Sequence, residues 1–524
     1  MRRVAAAAVT VALVAAACGD DGGESAVTQD IEPVETCDWP TWGHGNDRTF
    51  TYPCPTGISP DTVADLHPVW YVETSDAVTG APIVVDGTLY VGDWAGRFYA
   101  LDAETGEERW TYDTVFSPTV YAGQITASAA MGEVDGEDVV VVNGGQTVHA
   151  LTAEDGSERW THSLGEEGDP TEIETAPLVV GDTVIVTYDV HNAPFPAGVI
   201  ALDLATGDER WAFDLEQGGP HLGCGDVWGA ASVDVERRLV FFGSANCTVP
   251  EEGWGPYTEA IVALELDTGE PVWSFQPHEP NDDDTDFAGA PVLFTADGQD
   301  LVGLGNKDAA FYAVDRDSGE LVWSTQATEP NNIRPNLATG GFIGPAAHAD
   351  GTIVGGTGVG PCPCLHAFDA ATGEIAWQQE AVGPTYAPTT VAGGVAFVGS
   401  LDFTLRALDL ESGDVLWSDA LTGLVSGGVA VVDDDLWAVA GFREPGSPGP
   451  SENSGVFRYS VDPTVEPTTE LPASTTTVGP DDSGPARVGD RRGRAGAVLE
   501  DAQEAAVGLV VALGDHQGVG GRAG

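Results

Sequence analysis

The chain has 524 residues, 42% of them hydrophobic, with 68 Gly, 14 Trp and 2 Met; this exceeds one ordinary core and fits a turn-dense, strand-rich protein that is divided or repeated. Its 20 Lys and Arg stand against 83 Asp and Glu, a formal charge of -63. So negative a surface excludes nucleic acid and anionic lipid as partners, since both would be repelled, and it accords with secretion into a salty medium.

Arg2 and Arg3 precede an uncharged apolar run, residues 4–17, too short to span a bilayer and typical of an export signal. The string Val14-Ala-Ala-Ala-Cys18 resembles a bacterial lipobox. That resemblance implies a signal peptide over 1–18, lipidation of Cys18, and an extracytoplasmic protein, periplasmic or at the cell surface, that meets the membrane only through its N-terminal lipid. The alternative is an ordinary cleavage site with an incidental Cys. Setting Cys18 aside leaves six of the seven cysteines, an even number suited to an oxidising compartment. Proximity pairs Cys37 with Cys54 and Cys224 with Cys247, and leaves Cys362 and Cys364 as a doubtful third pair. Residues 19–37, polar and Gly/Asp-rich, read as a flexible tether.

From there the chain repeats. Seven times an alternating strand pattern runs into a Gly followed four positions later by a Trp: Gly106/Trp110, Gly156/Trp160, Gly207/Trp211, Gly269/Trp273, Gly319/Trp323, Gly373/Trp377 and Gly413/Trp417. Each Gly follows Thr, Ser or Asp, a pairing that offers a side-chain oxygen for backbone amides and then a residue free to take positive φ. Two more alternating runs precede each turn, so every unit offers about four short strands, which is one propeller blade. Trp70 has the strand without the turn, and the segments after Trp417 have strands without a closing Trp. Joined, they predict an all-β, eight-bladed propeller over residues 38–462 whose N-terminal strand completes the last blade and removes an open sheet edge. Residues 463–524 turn to Pro/Thr/Ser and then Gly/Arg, and read as disordered.

The unit Ala-Leu-Asp-Ala-x-Thr-Gly-x-x-x-Trp resembles the repeat of the pyrroloquinoline quinone (PQQ) propeller superfamily, in which the Trp residues form a structural girdle. Four features outside the repeat are similar to the quinoprotein alcohol dehydrogenases. Cys224-Gly-Asp-Val-Trp-Gly229 and Phe241-Phe-Gly-Ser-Ala-Asn246 imply Trp228 stacked under the quinone and Asn246 on a calcium ion. Asp284-Thr-Asp-Phe-Ala-Gly289 implies Asp286 as catalytic base and metal ligand, with Thr285 where the family has Trp. Gly305-Asn-Lys-Asp308 implies Lys307 on the quinone carbonyl. Lys307 is also the only lysine in the chain, and a compact ammonium suits an oxygen contact better than a planar guanidinium; the alternative is a lysine left on the surface by chance. For Asp286 the alternative is a solvated charge, since it ends the acidic run 282–286.

The chain departs from the family where a calcium-binding Glu is usual: Tyr188-Asp-Val-His-Asn-Ala193 leaves only Asp189 or Asn192 as substitutes. It has no adjacent-cysteine pair near residues 115–124 and no Cys-x-x-Cys-His haem site. The resemblance thus implies an exported, lipid-anchored dehydrogenase that uses PQQ and calcium to oxidise a small alcohol or polyol and passes electrons to an external acceptor. The superfamily also holds non-catalytic scaffolds like the assembly lipoprotein BamB, and fold alone does not choose between them. A third reading, a sugar- or polymer-binding module, rests on loop aromatics such as Trp94 and Trp254.

Overall fold

The computed structural model describes residues 36–468 apart from 118–122, 167, 192, 220, 223–224, 247–254, 280–283, 330–331, 335–336, 339–340, 359–361 and 442–453; the side chains of 332–334 and 337–338 are also outside the description. Eight four-stranded antiparallel sheets form a ring, seven of them in simple sequence order. The eighth takes three strands from the C-terminal region and its outer strand, His67–Glu73, from the N-terminal region, paired with Gly455–Ser460. The propeller and its closure by an N-terminal strand are therefore present. First strands of neighbouring blades touch one another and line the central channel.

The repeat has a physical explanation at each blade junction. In Asp102-Ala-Glu-Thr-Gly106, the Asp102 carboxylate accepts the amides of Glu104 and Thr105, and Gly106 turns at φ 75. The pairing that follows carries a bulge between Ala100 and Leu101, and the other six Gly/Trp units bulge at the corresponding place. The absent side chain of each Gly makes room for the Trp of the preceding blade: a Cβ on Gly373 would stand 2.4 Å from Trp323 Cε3, and one on Gly156 2.5 Å from Trp110 Cε3. Each indole then donates to a carbonyl of the next blade, as Trp323 to Ala370 and Trp160 to Leu204. Trp417 donates to Leu66 O and Trp70 to Ala103 O, so the girdle runs through the closure without a break. Gly-x-x-x-Trp is thus a lock between blades.

An element that periodicity did not announce closes one end of the channel. The segment from Trp39 to Gly57 runs around the ring and meets the innermost strands in order. It pairs with Val84 and Ala130, accepts amides of Val233, Leu293 and His348 at Asn46, Asp47 and Thr49, pairs with Val391, and ends on Asp433 and Asp434. Arg48, fully buried, donates to the carbonyls of Ala231 and Pro177 from its centre. Burial lowers the Arg48 pKa to about 9. A Cys37–Cys54 disulfide ties the strap into a loop. Cys362 and Cys364 are bonded as well, whereas Cys18, Cys224 and Cys247 lie outside the described residues. Trp94 is buried and donates to Thr79 Oγ1, which removes it as an exposed binding aromatic; Trp254 lies outside the described residues.

Candidate functional site

The strap bonds the first strands close to the hairpins that lead into the second strands. The second strands then run to the opposite end of the channel, and there the candidate residues gather. In the fourth blade Leu239–Gly243 leads into Ser244, Ala245 and Asn246. Gly243 is needed because a Cβ there would stand 2.5 Å from Phe287 Cβ, so the strand end can lie directly against the segment 284–287.

That segment is held from both sides. Asn246 N donates to Asp286 Oδ1 at 2.8 Å, Phe287 N to Ser244 O, and Thr285 Oγ1 to Glu259 Oε1 at 2.6 Å. From the fifth blade, Asn306 Nδ2 donates to Thr285 O and Lys307 N to Asp286 O. The Lys307 ammonium then sits 2.7 Å from Asp286 Oδ2, 3.0 Å from Asp284 Oδ1 and 4.6 Å from the centroid of the Trp228 ring. Trp228, Asn246, Asp286 and Lys307, far apart in sequence, therefore converge. Asp286 is only 3% exposed, so it is not a solvated loop charge. The structure adds Asp284, which sequence reasoning had left in an acidic run.

The electrostatics follow from burial. Burial disfavours the Lys307 ammonium, but Asp284 and Asp286 outweigh it and hold its pKa above the usual lysine value. For Asp284, burial dominates and, with Asp286 alongside, pushes the pKa well above the carboxylate range despite Lys307.

A second group lies beside the first. His191, held at φ 48, places Nε2 2.7 Å from Glu172 Oε2 and Nδ1 3.5 Å from Asp189 Oδ2. Asp226 Oδ1 accepts the amide of Val190, and its carbonyl accepts Ala245 N, so this group adjoins both the loop of Trp228 and that of Asn246. Burial and the neighbouring carboxylates push Glu174 and Asp189 well above the carboxylate range. Burial opposes the His191 imidazolium, yet the Glu172 hydrogen bond and the surrounding carboxylates raise it to about 9. Asp189, one of two substitutes named for the usual Glu, is here; the other, Asn192, lies outside the described residues. Glu172, Glu174, His191 and Asp226 had no assigned role. The available signal was Glu172-Ile-Glu174 just before the innermost strand Leu178–Val180, where charge enters a channel-lining position.

The residues fit a planar quinone and a hard cation in donor chemistry. Trp228 supplies an aromatic face, Lys307 a compact cation, and Asn246 and Asp286 oxygen donors. A tricarboxylate would also face the Glu172, Glu174, Asp189 and Asp226 wall, so it fits only if cations offset that charge.

Residues 39–331, more than half of the chain, match the family model "Glucose/ethanol/alcohol dehydrogenase, beta-propeller domain", and residues 307–444 match the model of outer membrane protein assembly factor BamB. The chain is 27% identical over 438 residues to polyvinylalcohol dehydrogenase of Pseudomonas sp, covering 72% of this chain and 67% of the relative. It is 27% identical over 327 residues to quinoprotein glucose dehydrogenase of Escherichia coli (strain K12), covering 51% and 41%. Among solved structures, quinohemoprotein alcohol dehydrogenase from Comamonas testosteroni superposes with TM-score 0.71 at 18% identity, covering 84% of this chain and 82% of that one. BamB from Moraxella catarrhalis superposes at 0.51 and 18% identity, covering 75% and 97%.

Proposed function

The chain belongs to the PQQ β-propeller family of glucose, ethanol and alcohol dehydrogenases, and from that premise we propose that it is a quinoprotein-type dehydrogenase oxidising a small alcohol or polyol. Electrons would go to an external acceptor. Export and a lipid on Cys18 would place it outside the cytoplasm. One observation carries the reading: the only lysine of the chain, its side chain 12% exposed, sits between two carboxylates and over the face of Trp228. Partly buried ionisable groups that converge on an aromatic face at a channel mouth mark functional sites.

PQQ, when bound, supplies the two-electron acceptor, and calcium the Lewis acidity that polarises oxygen. Trp228 would hold the cofactor's plane, Lys307 would face a cofactor oxygen, and Asn246 and Asp286 would hold the cation. Asp286, its Oδ1 anchored by Asn246 N and its Oδ2 by Lys307, is fixed for use as a base that takes the hydroxyl proton of an alcohol. Such a base contributes typically 10²- to 10⁴-fold. Burial around the pair excludes water that would otherwise screen it.

The test is to add PQQ and calcium to purified protein, follow cofactor absorbance and Trp228 quenching, and then measure dye reduction with a panel of alcohols. Binding together with alcohol-dependent reduction is expected; no binding at all would sink the dehydrogenase reading. In that event the match of residues 307–444 to BamB would favour a binding scaffold at the envelope.

A further inference from the structure

We propose that Glu172, Asp189 and His191 form a binding site for one divalent cation of the zinc class, separate from the Asn246–Asp286 pair. One ligand atom from each of the three lies within 4.8 Å of the others. That spacing lets a single ion draw them in with small side-chain rotations. All three are fixed: Glu172 and Asp189 exchange backbone hydrogen bonds with each other, and His191 extends from the same strand end.

A group of acids alone would not carry this. The independent observation is Asp189 Oδ1, which has no hydrogen-bond partner among the described residues although Asp189 is only 2% exposed. A buried carboxylate oxygen left without a donor is costly, and it persists where something absent from the polypeptide meets it. The donor set narrows the choice. One imidazole and two carboxylates suit Zn²⁺, which takes nitrogen and oxygen ligands and commonly leaves a fourth position open; Ca²⁺ wants six to eight oxygens. Asp226 and Glu174, whose charges act on this group, add to the attraction for a dication.

The site holds without the quinone reading, but it deepens it. The cluster adjoins the Trp228 loop through Asp226, so a dication here would turn a wall that repels carboxylates into one that receives them.

The test uses the full-length protein stripped with EDTA and titrated calorimetrically with ZnCl₂, MnCl₂ and CaCl₂ in the absence of PQQ. We expect one Zn²⁺ per chain, tighter than Ca²⁺, with Glu172→Gln and His191→Gln each weakening Zn²⁺ at least tenfold and Asp286→Asn leaving it unchanged. Absence of saturable Zn²⁺ binding, unaltered binding in both cluster variants, or equal loss in Asp286→Asn would overturn the assignment. X-ray absorption on zinc-loaded wild type gives a reading free of folding effects: one imidazole nitrogen with carboxylate oxygens supports the site, and a shell lacking nitrogen refutes it. A protein that binds zinc here yet never binds PQQ would retain this site and lose only the dehydrogenase reading.

Discussion

Replacing Lys307 with Met keeps the length and bulk of the side chain and removes only the ammonium. In the wild type that ammonium is 2.7 Å from Asp286 and 3.0 Å from Asp284, both less than a tenth exposed. Removing one member of a buried ion pair costs roughly 3–5 kcal/mol because the remaining charge is uncompensated. The carboxyls can lower that cost by taking up a proton, so we expect about 3 kcal/mol at pH 8. With an unfolding entropy of roughly 2 cal/mol/K per residue over the roughly 430 residues of the propeller, this is a loss of about 3 °C in Tm. The sign with pH is fixed by the chemistry. Asp284 already has a folded pKa well above its unfolded value, from burial and against the pull of Lys307; without the ammonium it rises further, so the deficit is absent where Asp284 is protonated in both states and grows as pH rises. Scanning calorimetry at pH 4.5 and 8 should therefore show a small loss at the lower pH and the full loss at the higher. The double variant Lys307→Met with Asp286→Asn should regain part of it, since one buried charge has gone. Equal losses at both pH values, or less than about 1 °C at pH 8, would show that Lys307 is not the counter-charge of this pair.

Other substitutions separate the site from the scaffold. Asp286→Asn should preserve quenching of Trp228 by PQQ while lowering alcohol-dependent dye reduction by about 10²- to 10⁴-fold, as steady-state kinetics would measure. Gly373→Ala puts a methyl 2.4 Å from Trp323 Cε3 at φ 72, which combines about 1–2 kcal/mol for the left-handed backbone with roughly 1–3 for overpacking; urea unfolding should register the sum, with the site's chemistry intact. Cys37→Ser with Cys54→Ser opens a loop of sequence separation 17, and the loop-entropy model expects a loss of about 3 kcal/mol, readable in the same urea experiment under non-reducing conditions. Cys18→Ser should move the protein from the membrane fraction to the soluble one, and an immunoblot showing it still membrane-bound would remove the lipid anchor.

What was legible in the sequence was what is local and repeated. The Asp-x-x-Thr-Gly turn and the Trp four residues later are short-range chemistry, and seven copies of it raised eight blades and their closure above coincidence. The strap from Trp39 to Gly57 was not legible as a strap, because a single extended segment has no period and its partners, from Val84 to Asp434, are dispersed over the whole chain. At the site, Lys307 stood out by contrast, one lysine among 20 basic residues, and Trp228, Asn246 and Asp286 by their resemblance to family motifs. The carboxylates offered no such contrast. Among 83 acidic residues, Glu172, Asp226 and Asp284 differ from solvated charges only through burial, and burial is set by the fold that brings three blades to one channel mouth. The same argument explains how so negative a chain can carry the site proposed for an anionic cofactor. Surface charge is met by salt within a Debye length of roughly 8–10 Å, whereas buried carboxylates must be answered one by one by an ammonium, a proton or a metal ion. At Asp284 and Asp286 the answer is Lys307. At Glu172 and Asp189 the only cation supplied by the described residues beside them is the His191 imidazolium, and the unpartnered oxygen of Asp189 is where a dication would meet the remaining charge.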